Sequence, residues 1–257
     1  MKPGVTLTAI PGLPDFQDGD DLAAILGDAL EGVGCAPVDG DVLCVAQKVF
    51  SKVEGCIVPL DGVTPGKEAQ EIADRLNKDP RKVEVVLGES ARVVRAFRHE
   101  GQNEGVMICE HHQGFISANA GVDESNFAQL DAVMTLPPDP DQSAARLGEA
   151  LQQRFGVTLG IVMTDTFGRP WRLGQVNVAV GLFQVPARVS ERGEQDGWGR
   201  PLAVTEPALA DELAAAAGLV MGKSARTPVV LVRGLKWQPG DSKIADLIRS
   251  RQEDMFK

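Results

Sequence analysis

Apolar residues occur along the chain in short runs separated by polar turns, and the spacing inside each run distinguishes strand-like from helix-like segments. Residues 5–10 read as a strand, followed by the Pro11-Gly12-Leu13-Pro14 turn and the acidic stretch Asp18-Gly19-Asp20-Asp21. Asp20 or Asp21 can cap a helix over 22–30. A strand at 42–46 runs into Gln47-Lys48-Val49-Phe50-Ser51-Lys52 and a turn at Glu54-Gly55. Helical spacing recurs at 67–77 and 83–97, and 106–109 with 115–118 reads as a hairpin-like pair. Pro137-Pro138-Asp139-Pro140 marks a linker, after which Ala144, Leu147, Leu151 and Phe155 form one apolar helical stripe. Residues 159–163, 176–180 and 229–232 read as strands, 190–200 as a polar loop and 207–220 as an Ala-rich helix. This irregular order, with hairpins, predicts an α+β fold rather than a doubly wound parallel sheet.

The segment from Thr164 to Gln175 holds a carboxylate, hydroxyls, two arginines and two glycines behind the apolar run 159–163. Asp165 and Thr166 are expected to emerge at that strand's end, where α/β folds commonly place chemistry. A salt-bridged turn is the competing reading. Asp123 shares the context: it ends an apolar segment, in Asn119-Ala120-Gly121-Val122-Asp123-Glu124-Ser125-Asn126. Oxygen ligands of this kind suit Mg²⁺ or Mn²⁺, which bind through one or two carboxylates and substrate phosphates. A turn-forming or capping role remains open for each aspartate.

Composition narrows the classes. A chain of 257 residues with 43% hydrophobic residues can bury a substantial core, and its net charge of −10 disfavours nucleic acid as a partner. Cys35, Cys44, Cys56 and Cys109 show no CxxC spacing and read as reduced, structural thiols. His99, His111 and His112 form no HExxH arrangement, which argues against a histidine zinc site. No apolar run approaches the roughly 20 residues that span a bilayer, and the first residues lack an apolar signal region, so a soluble cytoplasmic protein without a membrane partner is expected. Gly218-Leu219-Val220-Met221-Gly222-Lys223-Ser224 falls one residue short of P-loop spacing and follows a helix, and Gly32-Val33-Gly34 is a turn.

Several segments together resemble the coenzyme F420-0:γ-glutamyl ligases. They are Gly12-Leu13-Pro14 with Gly19-Asp20-Asp21-Leu22, Ser51-Lys52-Val53-Glu54-Gly55, the 119–126 loop, and Thr164 through Arg172. Ala210-Asp211-Glu212-Leu213 and Pro228 through Gly234 continue the match in the same order. The resemblance implies one ligase-like α+β domain over residues 1–257, made of two subdomains in an intertwined homodimer, without a C-terminal flavin-binding domain. It implies GTP as a substrate and Mg²⁺ or Mn²⁺ as two ions, with K⁺ a further candidate. Asp123 and Asp165 look like ligands of one metal, and Thr166 of a second. Leu13, Pro14, Asp15, Phe16, Gln47, Lys48, Lys52 and Asn126 match nucleotide-contacting positions. So does the loop Met221, Gly222, Lys223, Ser224, Ala225, Arg226, Thr227 and Pro228. The implied reaction activates the phospholactyl carboxylate of a deazaflavin cofactor precursor as an acyl phosphate, which the amine of L-glutamate attacks. Arg169 and Arg172, beside Asp165, are candidates for holding an anionic substrate or developing phosphoryl charge.

Two features depart from the family pattern. Lys223 stands where many members carry a metal-ligating Gln, and a protonated lysine has no lone pair to offer. Arg226 lies in the same loop, where acidic residues are common. The second departure, Leu182-Phe183-Gln184 with Ser190, bears on the acceptor and the number of glutamates rather than on reaction type. The alternatives are a paralogue joining an amino acid to another carboxylate, and a nucleotide-binding module without turnover.

Overall fold

The computed structural model describes residues 4–222 and 225–254. The chain opens with β1 (Thr6–Ala9), α1 (Leu22–Gly32), β2 (Asp41–Ala46) and α2 (Gln47–Val53). It then leaves the main sheet for β3 (Ile57–Pro59), α3 (Lys67–Leu76), α4 (Pro80–Gly88), β4 (Ser90–Phe97), β5 (Val106–His111), β6 (Ile116–Ala118) and β7 (Ala132–Met134). It returns with α5 (Pro140–Phe155), β8 (Leu159–Arg169), β9 (Arg172–Phe183), α6 (Leu209–Met221) and β10 (Val229–Arg233). The five-stranded sheet has the order β1-β10-β2-β8-β9, with β2 and β8 parallel and the other pairs antiparallel. The excursion forms a two-stranded sheet, β3-β7, and a three-stranded sheet, β4-β5-β6. The fold is α+β, as the sequence pattern predicts.

Period-two alternation in the central strands sorts their side chains to two faces. Leu43 and Val45 of β2 with Ile161 and Met163 of β8 join Leu26 and Leu30 of α1 and Leu147 and Leu151 of α5 in one buried cluster. Val42, Cys44 and Val162 face the other way, onto Ala210, Leu213, Ala214 and Ala217 of α6. A third cluster, including Leu60, Ile72, Leu76, Met107 and Val133, gives the excursion its own core. Full burial of a side chain such as Leu43 or Ile161 contributes about 1.5–3 kcal/mol.

Capping follows the sequence. Asp21 accepts from Ala24 N at 3.0 Å to start α1, and Asp139 accepts from Gln142 N at 3.0 Å to start α5 with Pro140 in its first turn. The 137–140 stretch is thus the return connection between β7 and α5.

Two expectations are corrected and one unassigned segment is resolved. Residues 83–97 are not one helix: α4 stops at Gly88 and β4 follows. Register shifts at Ser90/Arg92 and Val93/Arg95 break the two-residue alternation that marks a strand, leaving a helix-like spacing of apolar positions. Residues 47–53 form a helix without any intervening loop. Finally, β8 does not end before Asp165 but continues to Arg169, paired with a β9 longer than the predicted 176–180. Its pairing with β2, however, stops at Ala46↔Thr164, so Asp165 and Thr166 lie where the β8–β9 hairpin runs on past the end of the parallel pair.

Candidate active site

A cleft of roughly 1380 Å³ opens beyond that end of β2, between the main sheet and the excursion. One wall is the 13–18 loop, held by Phe16, which is 5% exposed, and by Gly19 N donating to the Val53 carbonyl at 3.0 Å. The floor is α2, where Lys48 and Lys52 stand one helical turn apart and both line the cleft. The Ser51 hydroxyl, one residue round, donates to the Thr135 carbonyl at 2.7 Å and so ties α2 to the excursion.

Asp123 enters from that excursion. Its backbone exchanges two hydrogen bonds with Met134, at 3.0 and 2.8 Å. Asn119, Ala120 and Gly121 just before it all have positive φ, and a Cβ at Gly121 would meet Leu136 at 2.4 Å, so this tight turn requires glycine there. The Asp123 carboxylate accepts from Glu124 N at 2.7 Å, Ser125 N at 3.0 Å and Ser125 Oγ at 2.9 Å, and forms an ion pair with Lys48. Burial opposes its ionisation, but the Lys48 ammonium and the Ser125 and Glu124 donors outweigh burial and hold the carboxyl below its ordinary range.

β8 and β9 form the opposite wall. Phe167 shares its face with Met163 in the first cluster and meets the excursion through Phe115, at 5.3 Å between ring centroids. Asp165 lies between these two on the same face, toward the excursion that carries Asp123. Thr164 and Thr166 take the other face, toward α6. Thr166 Oγ1 donates to Asn177 Oδ1 at 3.0 Å. The alternation thus sends Asp165 and Thr166 to different sides of one hairpin.

The loop after α6 completes the cleft. Thr227 Oγ1 donates to the Met221 carbonyl at 2.8 Å, and Ala46 N donates to the Pro228 carbonyl at 2.9 Å, which docks the loop on the end of β2. Arg226 faces Asp15 across 4.0 Å. Burial pushes the Lys52 ammonium below the ordinary lysine range, aided by the charges of Lys48 and Arg226 and opposed by Asp15. Three cations share the cleft with four carboxylates, Asp15, Asp18, Asp123 and Asp165, a mixed lining that suits an anionic ligand bound together with a cation.

The structure brings together Leu13, Pro14, Asp15, Phe16, Gln47, Lys48, Lys52, Asn126, Met221, Gly222, Arg226, Thr227, Pro228, Asp123, Asp165 and Thr166 in this lining. Ala225 lies on the same loop but outside the lining, and Lys223 and Ser224 lie outside the described residues. Arg169 and Arg172 sit at the tip of the β8–β9 hairpin, also outside the lining, with Arg169 donating to the Leu173 carbonyl. Sequence reasoning missed Asn177, Gln175, Phe127 and Gln129, all of which line the cleft.

The donor set fits a hard cation. Carboxylates of Asp123 and Asp165 and the hydroxyl of Thr166 are all oxygen ligands, and Asp123 already attracts an ammonium. Among the described residues no group of three or more His, Cys, Asp or Glu converges, so an ion held here would take its remaining ligands from water and bound phosphate. All four cysteines are free thiols, and burial raises that of Cys44 to about 12. Among the described residues no helix is long and apolar enough to cross a membrane.

Comparisons with known proteins give the chain a family. Residues 12–234 match the family model described as F420-0:Gamma-glutamyl ligase. A Methanothermobacter thermautotrophicus protein named Coenzyme F420:L-glutamate ligase is 40% identical over 258 residues, covering 99% of each chain. Relatives of the same name from Methanopyrus kandleri and Natronomonas pharaonis are 41% and 43% identical, covering 99% and 96% of this chain and 98% and 92% of their own. The matched span begins in the 13–18 loop region and ends with β10, enclosing every wall of the cleft, and the chain therefore belongs to the F420-0:gamma-glutamyl ligase family.

Proposed function

We propose that the cleft binds GTP with Mg²⁺ or Mn²⁺ and joins L-glutamate to the phospholactyl carboxylate of coenzyme F420-0. The observation that carries this reading is the convergence of Lys48, Lys52, Asp123, Asp165 and Thr166, from three distant chain segments, on one cleft. The curated relatives are named for ligation of L-glutamate to coenzyme F420.

A carboxylate is a poor acyl donor because oxide is a poor leaving group. Transfer of the γ-phosphoryl group of GTP to a carboxylate oxygen gives an acyl phosphate and GDP. The glutamate amine then attacks the acyl carbon, and phosphate departs with the C–O electron pair as the amide forms. Lys52 and Lys48 neutralise phosphate oxygens and hold the nucleotide against α2. Asp123, fixed by its pairing with Met134, and Asp165, fixed in β8, orient the reactants by holding divalent ions. Bound divalent ions supply charge compensation on the transferring phosphoryl group. Arg169 and Arg172, at the hairpin tip outside the lining, are assigned to an anionic substrate arm that projects from the cleft. A homodimer is part of this reading, supported by Trp171 and Leu173 exposed at that tip. Light scattering of the purified protein tests it, a monomer counting against.

Incubation with the deazaflavin precursor, GTP, Mn²⁺ and glutamate, followed by mass spectrometry, tests the reaction. The expected product is heavier by one or more glutamyl units and disappears when any component is omitted. GTP turnover with some other carboxylate, or tight GTP binding without phosphate release, would replace this reading.

A further inference from the structure

Asn177 takes no part in the family resemblance, yet it occupies a constrained position in the cleft. It lies directly across the hairpin from Thr166 and accepts the Thr166 hydroxyl proton at 3.0 Å. Behind it stands Gly218 of α6, where an added Cβ would lie 3.2 Å from both Asn177 Cγ and Nδ2. The helix therefore approaches closely because residue 218 has no side chain, and the Asn177 amide is confined between α6 and Thr166. A threonine hydroxyl has one proton and two lone pairs. With the proton committed to Asn177, the lone pairs are left for a ligand in the cleft.

We infer that Asn177 is a positioning residue that fixes the Thr166 hydroxyl as an acceptor, so that this face of the hairpin can ligate a hard divalent cation. Three observations support the inference: the cross-strand register, the hydrogen bond, and the glycine that leaves room for the amide. Groups behind a metal ligand orient it, and their loss typically weakens metal binding about 10–100-fold. The inference rests on the proposal that Thr166 is a cation ligand, not on which carboxylate the enzyme activates.

Mn²⁺ titration followed by electron paramagnetic resonance tests it without reference to turnover. The full-length protein is used, with and without GTP and with no acceptor substrate present. Four further proteins are compared with wild type: Thr166→Val, Asn177→Ala, Asn177→Asp and Gly218→Ala, each checked for native circular dichroism. Asn177→Ala is expected to weaken one class of bound Mn²⁺ about tenfold or more, matching Thr166→Val. Asn177→Asp only accepts hydrogen bonds and so keeps the Thr166 proton where it is; it is expected to stay within about threefold of wild type, against the 10–100-fold scale of a lost orienting group. Gly218→Ala, which presses on the amide from behind, is expected to fall between them. If Thr166→Val weakens Mn²⁺ binding and Asn177→Ala does not, or Asn177→Asp behaves like Asn177→Ala, the positioning role is wrong while the metal reading stands. If wild type binds no Mn²⁺ with or without GTP, the metal reading and this inference fall together.

Discussion

The two ends of β2 each carry a carboxylate paired with a cation, and they treat that pair in opposite ways. At the start of the strand, Asp41 is 1% exposed and takes the Arg233 guanidinium in a fork, Nε to Oδ1 at 3.0 Å and Nη2 to Oδ2 at 2.7 Å. Val38 N adds a bond at 2.9 Å, and Arg233 also donates to the Ala36 carbonyl at 2.8 Å. Just past the other end, Lys48 meets Asp123 with a single ammonium, and the Asp123 side chain is 44% exposed along the cleft. A planar fork on a buried carboxylate fills its acceptor directions and locks the pair. At Asp123 the neighbouring Glu124 and Ser125 donors fix the carboxylate, and the one charged partner is a single ammonium on an exposed side chain, which another cation can share or replace. Burial and donor geometry, more than charge, separate a structural pair from a functional one.

The comparison breaks most sharply at Asp41. Asp41→Ala leaves Val38 N without its acceptor and the guanidinium with only the Ala36 carbonyl, and is expected to cost about 3 kcal/mol of stability. For a chain of this size that is a fall in Tm of roughly 6–12 °C. A shift no larger than that of an ordinary surface substitution, about 0.5 kcal/mol, would remove the distinction drawn here. Asp123→Asn should do the reverse, lowering turnover about 100-fold while changing stability by about 1 kcal/mol or less. Urea denaturation and steady-state kinetics on both variants make the test a double dissociation.

Much of this layout could be read from the chain. The unbroken apolar runs 42–46 and 159–163 placed the core strands, and Asp21 and Pro140 marked their helices. What stayed hidden depends on irregular pairing. The two register shifts in β4 masked a strand as a helix. Counting outward from the Arg169↔Arg172 pair of the hairpin puts Gln175, not Asn177, opposite Thr166. A register shift between Gly168 and Arg169, next to Gly174 at φ 88°, moves the partner on by two. Asn177, inside the run read as a strand at 176–180, therefore carried no signal of its contact with Thr166. Lys48 was matched to a nucleotide contact, but its pairing with Asp123 spans 75 residues and appears only once the excursion folds back.

Lys52 extends the contrast to a cation with no fork at all. Loss of its charge in Lys52→Met is expected to weaken GTP binding about tenfold, the scale of a hydrogen bond to a charged group. Its ammonium is held below the ordinary lysine range by burial and by Lys48 and Arg226. The protonated form is the one that binds phosphate. GTP affinity of the wild type should therefore decline as pH rises, beginning below the range of an exposed lysine, and Lys52→Met should flatten that decline. Calorimetric titration of GTP across alkaline pH tests this; an unchanged slope in the variant assigns the decline to another group.

Asp79 sharpens the comparison by separating fork geometry from burial. Arg81 donates to Asp79 from Nη2 at 2.6 Å and from its backbone N at 2.8 Å, and reaches Asp131 from Nη1 and Nη2 at 2.9 and 2.8 Å. The geometry is as good as at Asp41 and the two arginines are similarly exposed, but the Asp79 side chain is 26% exposed where that of Asp41 is 1%. Asp79 also caps α4, so Asp79→Ala is expected to cost about 1 kcal/mol, well short of Asp41→Ala. The Arg81 hydrogen bond is the chief influence on the Asp79 carboxyl and holds it below its ordinary value. A depressed folded-state pKa gives stability that is present above the unfolded value and lost as pH falls through the folded one. The gap between wild type and Asp79→Ala should thus be full at neutral pH and close progressively below about pH 4. If Asp79→Ala cost as much as Asp41→Ala, fork geometry alone would lock a pair, and the openness of Asp123 would have to be ascribed to its lysine partner rather than to the cleft.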